Sequence, residues 1–409
     1  MYKDYLKKYA ELIVKVGINL RKNQEMYLYA NTDSIDLVSE ILEICYKDIK
    51  SGKIHVSLSN DKLTRITNEF ASSEALETVT DFEIAKAEYQ IKKEIPKLYI
   101  ESPNPTLLKG LDQKKLAASY KAHSLALKKY GDKADLLKLG WNIVAYVSDA
   151  WASSVFPKME LEAAKEKLWD MVYETTRIYE NDPVKAWNKH IERLTSKANF
   201  LNNAQIKTLH YKSKKTDFKI NLTYKYVFAS AMDTNNLGLQ YVPNLPTEEV
   251  FSSPDFRTAN GKLTSTMPLN LRGTLVKDFW FKFKDGVVVE HGASEGLEAL
   301  TELLNTDEGS RRLGEVALVQ KDSPISNLGV LFFNTLFDEN ASCHFALGQS
   351  FNECYIGANK MEDDEKLSCG LNDSLIHVDF MVGDADLDII ATDIHGKKFK
   401  VFSEGNWAI

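Results

Sequence analysis

Hydrophobic and polar positions follow two different patterns in the two halves of this 409-residue chain. In the first half, apolar positions between Tyr5 and Leu20 recur with the period of an amphipathic helix. Asn31 to Ser34 supplies the N-cap of a second helix, and a long helical stretch runs from about Pro105 to Tyr130. Short β-rich runs predict strands between the helices, at residues 26–30, 54–58, 97–100 and 141–147. Strands that alternate with helices of this length predict βαβ units and a parallel sheet.

The second half changes character after a charged helical stretch at residues 158–200. Gly, Thr, Asn and Asp separate short runs of period-2 alternation, and Asp285-Gly286 between two apolar runs predicts a β-hairpin. A second hairpin is expected around His395-Gly396, and residues 296–304 have a helical pattern. We therefore predict an α/β N-terminal domain with a parallel sheet (1–157), a helical connector (158–200) and an α+β domain rich in antiparallel strands (201–409).

Composition and charge exclude several classes of protein. With 44% hydrophobic and 27% charged residues the chain has the composition of a globular protein, which argues against disorder. Its net charge of −7 gives no global basic field, so no nucleic acid partner is expected. The N-terminus lacks the apolar region of a secretory signal, and no stretch is apolar enough for a membrane span. Four cysteines without a CxxC pair favour a reducing, cytoplasmic location.

Candidate chemistry lies in the second half, where acidic and imidazole side chains stand among apolar residues. Glu248 and Glu249 form an acidic pair in a proline-bounded segment; in an extended chain they point to opposite faces, so only one faces a site. A solvated acidic turn is the alternative. Glu315 begins a short apolar strand, where burial of a carboxylate is costly unless it is paired or binds a metal. A solvent-exposed strand end explains it equally well.

Two histidines complete the set. His344 lies beside apolar residues, which suits either a metal ligand or a histidine that is part of the core. His377 and Asp379 are two apart in a strand pattern and so share one face, where they suit either a divalent cation or a structural hydrogen bond. Together these residues supply several carboxylates, two imidazoles and no thiolate, which are the ligand types of a two-metal hydrolytic site.

Longer motifs run in one order along most of the chain, at residues 8–17, 151–157, 216–218, 244–255, 314–317, 334–344, 377–383 and 402–407. With these motifs the chain resembles the aminopeptidase T and aminopeptidase S family of metal-dependent peptidases. The resemblance implies an exopeptidase that acts on peptides with a free N-terminus, uses two divalent metal ions, is cytoplasmic and forms a homodimer.

The resemblance also implies a ligand set. By motif match the metal ligands are Glu249, Glu315, His344, His377 and Asp379, with Glu339 as a sixth position. It selects Glu249 over Glu248, which the pattern alone leaves open. Zinc, cobalt, manganese and magnesium all remain candidates, because carboxylate and imidazole ligands suit several of them. Glu315 is the candidate catalytic residue, as a carboxylate that bridges the metals and handles a proton.

One position departs from the family pattern. The family usually carries a tyrosine seven residues after the motif histidine, and here that position is Phe351, which cannot donate a hydrogen bond to an oxyanion. Tyr355 substitutes for it only if the segment is helical. Two alternatives to an efficient aminopeptidase therefore stay open: a catalytically weak relative that binds peptides or metal, and a hydrolase of a non-peptide amide.

Overall fold

The computed structural model describes residues 3–271 and 273–409, apart from the side chain of Asp135. The chain divides into two compact units. Unit 1 consists of the chain up to Trp187 together with Met232–Leu245, and unit 2 consists of Asn188–Ala231 and Pro246–Ile409. The predicted domain boundaries at 157 and 200 stay predictions.

Helices predominate in the first half of the chain and strands in the second. The first part of the chain contains α1 (Lys3–Leu12), β1 (Met26–Asn31), α2 (Ile35–Glu43), β2 (Ile54–Ser59), α3 (Asp61–Phe70), α4 (Ser73–Glu77), α5 (Asp81–Lys93), β3 (Lys97–Glu101), α6 (Gln113–Leu136), β4 (Trp141–Ala145), α7 (Asp149–Val155), α8 (Leu161–Thr175) and α9 (Pro183–Asn203). It is followed by β5 (Ile206–Lys212), β6 (Asp217–Asn221), β7 (Asp233–Thr234), β8 (Gln240–Tyr241), β9 (Asn244–Leu245), β10 (Val250–Ser252), β11 (Asn260–Thr264), β12 (Leu269–Leu271), β13 (Thr274–Val276), β14 (Trp280–Lys284) and β15 (Val287–Gly292). The last part contains α10 (Leu297–Leu304), β16 (Leu313–Leu318), α11 (Pro324–Leu328), α12 (Thr335–Asp338), β17 (His344–Gly348), α13 (Asp363–Ser368), β18 (His377–Met381), β19 (Asp388–Asp393), β20 (Lys398–Ser403) and β21 (Asn406–Trp407).

Unit 1 is built on a five-stranded sheet in the order β2-β1-β3-β4-β9, and every neighbouring pair in it is parallel. Its strands bury apolar side chains such as Leu28, Leu98 and Val144. Helix α1 is tied to the sheet by the hydroxyl of Tyr9, which donates to the carbonyl oxygen of Ala145 at 3.0 Å. The βαβ pattern in the sequence therefore predicted the parallel sheet correctly.

Unit 2 is built on two main antiparallel sheets, in addition to the two-stranded pair β12-β13. The larger has eight strands in the order β15-β14-β11-β6-β5-β19-β20-β21, and the smaller has four in the order β10-β16-β17-β18. Aromatic rings join them: Phe345 of β17 lies 5.3 Å from Phe218 of β6, and Phe380 of β18 lies 5.0 Å from Phe281 of β14, measured between ring centroids. One face of the small sheet therefore packs in the core of the unit.

Both predicted hairpins are present. Strands β14 and β15 pair through Asp285 and Gly286, whose φ angles of 48° and 85° are the positive values that a tight type I′ turn requires. Strands β19 and β20 form the second hairpin. The predicted fold class, an α/β N-terminal half and an α+β half rich in antiparallel strands, is confirmed.

The long helix of unit 1 begins later than predicted. It starts at Gln113 rather than near Pro105, and Asp112 caps it by accepting hydrogen bonds from the backbone N–H groups of Lys114 and Lys115. Within residues 3–271 and 273–409, no helix is both long enough and apolar enough to cross a membrane.

Candidate metal centre

The register of the small sheet brings together side chains from distant parts of the chain. Glu315 of β16 lies opposite Ala346 of β17, and Ala346 lies opposite Asp379 of β18. Residues directly opposite one another in an antiparallel sheet project from the same face. Only the methyl group of Ala346 stands in the row between the two carboxylates.

The two candidate histidines project from the same face. His344 precedes Ala346 by two residues on β17, and His377 precedes Asp379 by two residues on β18. Because side chains alternate along a strand, Phe345, which follows His344, and Phe380, which follows Asp379, point the other way and enter the aromatic core. Packing on one face therefore fixes the polar set on the other.

Glu249 joins this group from the edge strand. It lies immediately before β10, which pairs with β16, and its Oε2 atom is 3.4 Å from Nε2 of His344. Glu248 turns away to Nε2 of His190 at 3.6 Å and Nη2 of Arg193 at 3.5 Å. The two neighbouring glutamates thus point in different directions, as an extended segment requires.

Two sets of possible ligand atoms share one carboxylate. Glu249, Glu315 and His344 form one set, and Glu315, His377 and Asp379 form the other; within each set the atoms lie within 4.8 Å of one another. Nε2 of His377 is 3.2 Å from Oε2 of Glu315 and 3.4 Å from Oδ1 of Asp379. Glu315 belongs to both sets, which is the arrangement expected of a carboxylate between two cations.

The sixth candidate, Glu339, lies in a short 3₁₀ turn at Glu339–Ala341 and is half-buried. It belongs to neither set of three. Burial, together with the negative charges of Glu249 and Asp379, nevertheless raises its pKa well above the usual value. Glu339 therefore belongs to the same electrostatic environment, and its neutral form is favoured when no cation is bound.

Hydrogen bonds orient both imidazoles. Nδ1 of His344 donates to the carbonyl oxygen of Ser342 at 3.1 Å, and Nδ1 of His377 donates to that of Gln349 at 2.8 Å. A carbonyl only accepts, so Nδ1 carries the proton in each ring. When the Nε2 atom of each ring loses its proton, its lone pair faces the carboxylates. This is the usual orientation of a histidine ligand.

Burial and neighbouring charges shift the pKa values of the site in different directions. Burial raises the pKa of Glu315 to about 7. Burial acts to lower the pKa of His344, but the carboxylates of Glu249 and Glu315 outweigh it and raise that pKa to about 10. For Asp379 burial acts upward, yet His377 and His344 hold its pKa at about 2.

Asp379 also supplies a test of whether the residues suit a cation. Its Oδ1 atom is buried and has no hydrogen bond of ordinary geometry within the described part of the chain. Nε2 of His377, at 3.4 Å, pairs with this oxygen only weakly. Weak pairing of a buried carboxylate oxygen is costly, and a bound cation lowers that cost. Carboxylate oxygens and imidazole nitrogens are suitable ligands for zinc, cobalt, manganese and magnesium, so the residues fit a divalent metal.

Comparison with known proteins places this arrangement in a family. The model of the thermophilic metalloproteases, M29, matches residues 2–407. The chain belongs to the M29 metalloproteases. It is 39% identical over 408 residues to aminopeptidase AmpS of Bacillus subtilis, covering 100% of this chain and 99% of that protein. It is 38% identical over 405 residues to aminopeptidase 2 of Geobacillus stearothermophilus, covering 98% and 97% respectively.

A solved structure agrees along the whole length. Wild-type AmpT from Thermus thermophilus is 33% identical in sequence and superimposes with a TM-score of 0.93, covering 100% of both chains. The family resemblance read from the motifs is confirmed. The predicted enzyme class is confirmed as well, since the M29 chain is a metal-dependent peptidase and hence a hydrolase.

The M29 chain places Phe351 against the candidate metal centre. The ring of Phe351 lies 4.6 Å from the imidazole of His377, centroid to centroid. The helix that would let Tyr355 replace a tyrosine at this position is not formed, because only Asn352–Cys354 makes a 3₁₀ turn and Tyr355 is extended. Tyr355 instead packs with Ala358 and Leu371.

Sequence reasoning missed the supporting residues of the site. Ala346, which separates the two carboxylates, and the carbonyl groups that orient the imidazoles were not identified. Ala346 had a readable signal in the sequence. It and Gly348 follow His344 at intervals of two residues, so small residues share the strand face of this histidine. The carbonyl partners depend on tertiary contacts and leave no pattern in the sequence.

Proposed function

We propose that this M29 chain is an aminopeptidase that removes N-terminal residues from peptides with the help of two divalent cations. The proposed ligands are Glu249, Glu315, Glu339, His344, His377 and Asp379. The observation that carries the proposal is the pair of ligand sets that share Glu315. Relatives named as aminopeptidases, matched over nearly their whole length, support the choice of substrate end.

The proposed chemistry is hydrolysis of the first peptide bond. When bound, two cations acidify a water molecule and polarise the scissile carbonyl. Glu315 is the proposed proton acceptor, because its carboxylate belongs to both ligand sets and is therefore central to the site. The surrounding carboxylates attract the free α-ammonium group of the substrate, which a blocked peptide lacks.

Strand geometry contributes by keeping these groups in place. His377 and Asp379 are fixed on one strand, and Glu315 lies in register with Asp379 across β17. Reactive groups held on rigid strands lose little entropy when the substrate binds. The sheet therefore supplies the alignment that the proposed reaction needs.

The test is turnover of aminoacyl chromogenic substrates by protein depleted of metal and then reloaded with zinc, cobalt, manganese or magnesium. Glu315→Gln and His377→Ala should each lower kcat by at least roughly 10²-fold, as expected for loss of a general base or a metal ligand. Glu290→Gln and His291→Ala are matched controls on β15, where these residues pair with Lys282 and Thr301.

The controls should keep wild-type turnover. If Glu315→Gln and His377→Ala also keep it after metal depletion and repletion, the proposed site is wrong. Peptides with an acetylated N-terminus should not be cleaved, and their cleavage at the wild-type rate would rule out an exopeptidase that recognises the free amine.

Phe351 is the observation that favours a second candidate, a catalytically weak relative that binds peptides or metal. Its ring contacts His377 but carries no hydroxyl group to donate to an oxyanion. Peptide binding that depends on metal, with no product released by the wild-type protein, would favour this candidate. Release of product from a non-peptide amide alone would favour the third, an amidase of another kind.

The resemblance also leads us to propose a cytoplasmic homodimer. Sedimentation or light scattering of the purified protein should give twice the mass of the chain. A monomer at micromolar concentration would contradict this proposal without affecting the proposed chemistry.

A further inference from the structure

Asn340 is a fully buried amide that follows the proposed ligand Glu339 directly. Its Oδ1 atom accepts a hydrogen bond from the backbone N–H of Glu248 at 2.7 Å. Its Nδ2 atom donates to the carbonyl oxygen of Leu336 at 3.0 Å and to Oε1 of Glu339 at 3.4 Å. The acceptor and both donors of this amide are therefore in use.

These bonds connect two segments that are far apart in sequence. One segment carries Glu249 and the other carries Glu339, and Asn340 bonds to the backbone of the first and to the side chain of the second. Two carboxylates brought to one site repel each other when both are ionised. A neutral group that bonds to both segments can hold them together against that repulsion.

The segment of Glu249 is held from its other side as well. The side chain of Glu248 is buried and contacts His190 and Arg193, so it is directed away from Glu249. With its backbone N–H bonded to Asn340, Glu248 is fixed through both its main chain and its side chain. The direction of the next residue, Glu249, follows from this anchorage.

We propose that Asn340 is a positioning residue that sets the spacing of the segments that carry Glu249 and Glu339, and thereby the placement of these two proposed ligands at the metal centre. This inference rests on the ligand set of the proposed function. A primary amide is needed because it accepts through oxygen and donates through nitrogen within one planar group, which neither a carboxylate nor an aliphatic side chain does.

The test is calorimetric titration of metal-depleted protein with zinc, together with a thermal melt of each variant. The wild-type protein should bind two ions. Asn340→Ala should lower the affinity for one ion by roughly 10- to 100-fold, which is the usual cost of removing a group that orients a ligand. The ion that uses His377 and Asp379 should keep its affinity.

Asn142→Ala is the matched control. Asn142 is also fully buried, and its Nδ2 atom donates to the carbonyl oxygen of Val242 at 2.7 Å in unit 1. This variant should lower the melting temperature and leave both zinc affinities unchanged. Asn340→Ser, measured in parallel, removes the same bonds with a smaller change in polarity and should show the same selective loss.

A double-mutant cycle with Glu339→Gln separates positioning from general destabilisation. If Asn340 acts through Glu339, Asn340→Ala should cost less zinc affinity in the Glu339→Gln background than in the wild type. Additive losses, or two unchanged affinities in Asn340→Ala and Asn340→Ser, would overturn the inference alone. A wild-type protein that binds no zinc would instead overturn the proposed function.

Discussion

His344 and His377 each commit Nδ1 to a backbone carbonyl, so Nε2 is the only atom that can gain a proton or a metal. The carboxylates around His344 raise its pKa to about 10, so that ring is protonated at neutral pH when no cation is bound. Burial also brings the pKa of Glu315 to about 7. Metal binding at neutral pH must therefore displace protons.

The first prediction is that metal affinity rises with pH. Both pKa values lie above those of the free side chains, so lowering the pH favours the protonated groups and opposes the cation. Calorimetric titrations between about pH 6 and pH 8, in buffers with different heats of ionisation, should show release of protons on zinc binding. An affinity independent of pH, with no proton released, would contradict the assigned ligands.

The second prediction concerns Phe351. Phe351→Tyr should raise kcat by up to roughly 10²–10³-fold, since it restores a hydroxyl donor beside His377. Phe399→Tyr, in strand β20, is the matched control and should leave kcat unchanged. Equal or lower kcat in Phe351→Tyr would show that this enzyme does not use a donor at that position.

At the scale of the strand, the site depends on one small side chain. Ala346 lies between Glu315 and Asp379 in the register of β16, β17 and β18, and it is fully buried. A larger side chain there must occupy the space into which the two carboxylates converge. A small side chain at this position therefore leaves room for the two carboxylates as well as for the packing of the sheet.

The third prediction follows from that register. Ala346→Leu should abolish binding of at least one zinc ion and lower the free energy of unfolding by about 1–3 kcal/mol through overpacking. Ala391→Leu in β19 replaces another fully buried alanine and should incur a similar loss of stability. Zinc binding should persist in Ala391→Leu, and its persistence in Ala346→Leu would contradict the proposed arrangement.

The strands also show how far the sequence could predict the site. The pair His377 and Asp379 was readable because two residues on one strand obey a period of 2. Their proximity to Glu315 was not, because it depends on the register of β16, β17 and β18, and long segments that contain helices separate these strands along the chain. Only the resemblance to a family supplied that connection.

The helices show a similar limit. The helical period correctly predicts α6, but it also includes residues 105–112, which lie before the helix begins. Asp112 was an available N-cap signal, since its carboxylate accepts from Lys114 N–H and Lys115 N–H. Local capping chemistry would therefore have corrected a boundary that periodicity alone misplaced.

For the whole molecule, the alternation of elements was sufficient to predict the parallel sheet and the antiparallel half. The packing of two antiparallel sheets against each other within unit 2 was not predictable, because it arises from contacts such as Phe345 with Phe218.

The site also bears on the net charge of −7. Two divalent cations would bring it to about −3, because part of the acidic excess belongs to the site.

The fourth prediction is that metal stabilises the folded chain. A ligand that binds only the folded state at about 100 times its Kd adds about 2.7 kcal/mol per site to the free energy of unfolding. The melting temperature should therefore rise with zinc and fall with a chelator. Asp379→Asn should lose about half of this response, because only one of the two proposed ligand sets contains Asp379. A chelator that leaves the wild-type melting temperature unchanged would contradict the prediction.

The most direct test of the two-cation site is anomalous scattering from crystals grown with zinc. Two anomalous peaks about 3.5–4 Å apart are expected. One peak should lie beside Glu249 and His344, the other beside His377 and Asp379, and Glu315 should contact both. A single peak, or peaks away from these residues, would contradict the claim that this sheet holds two cations.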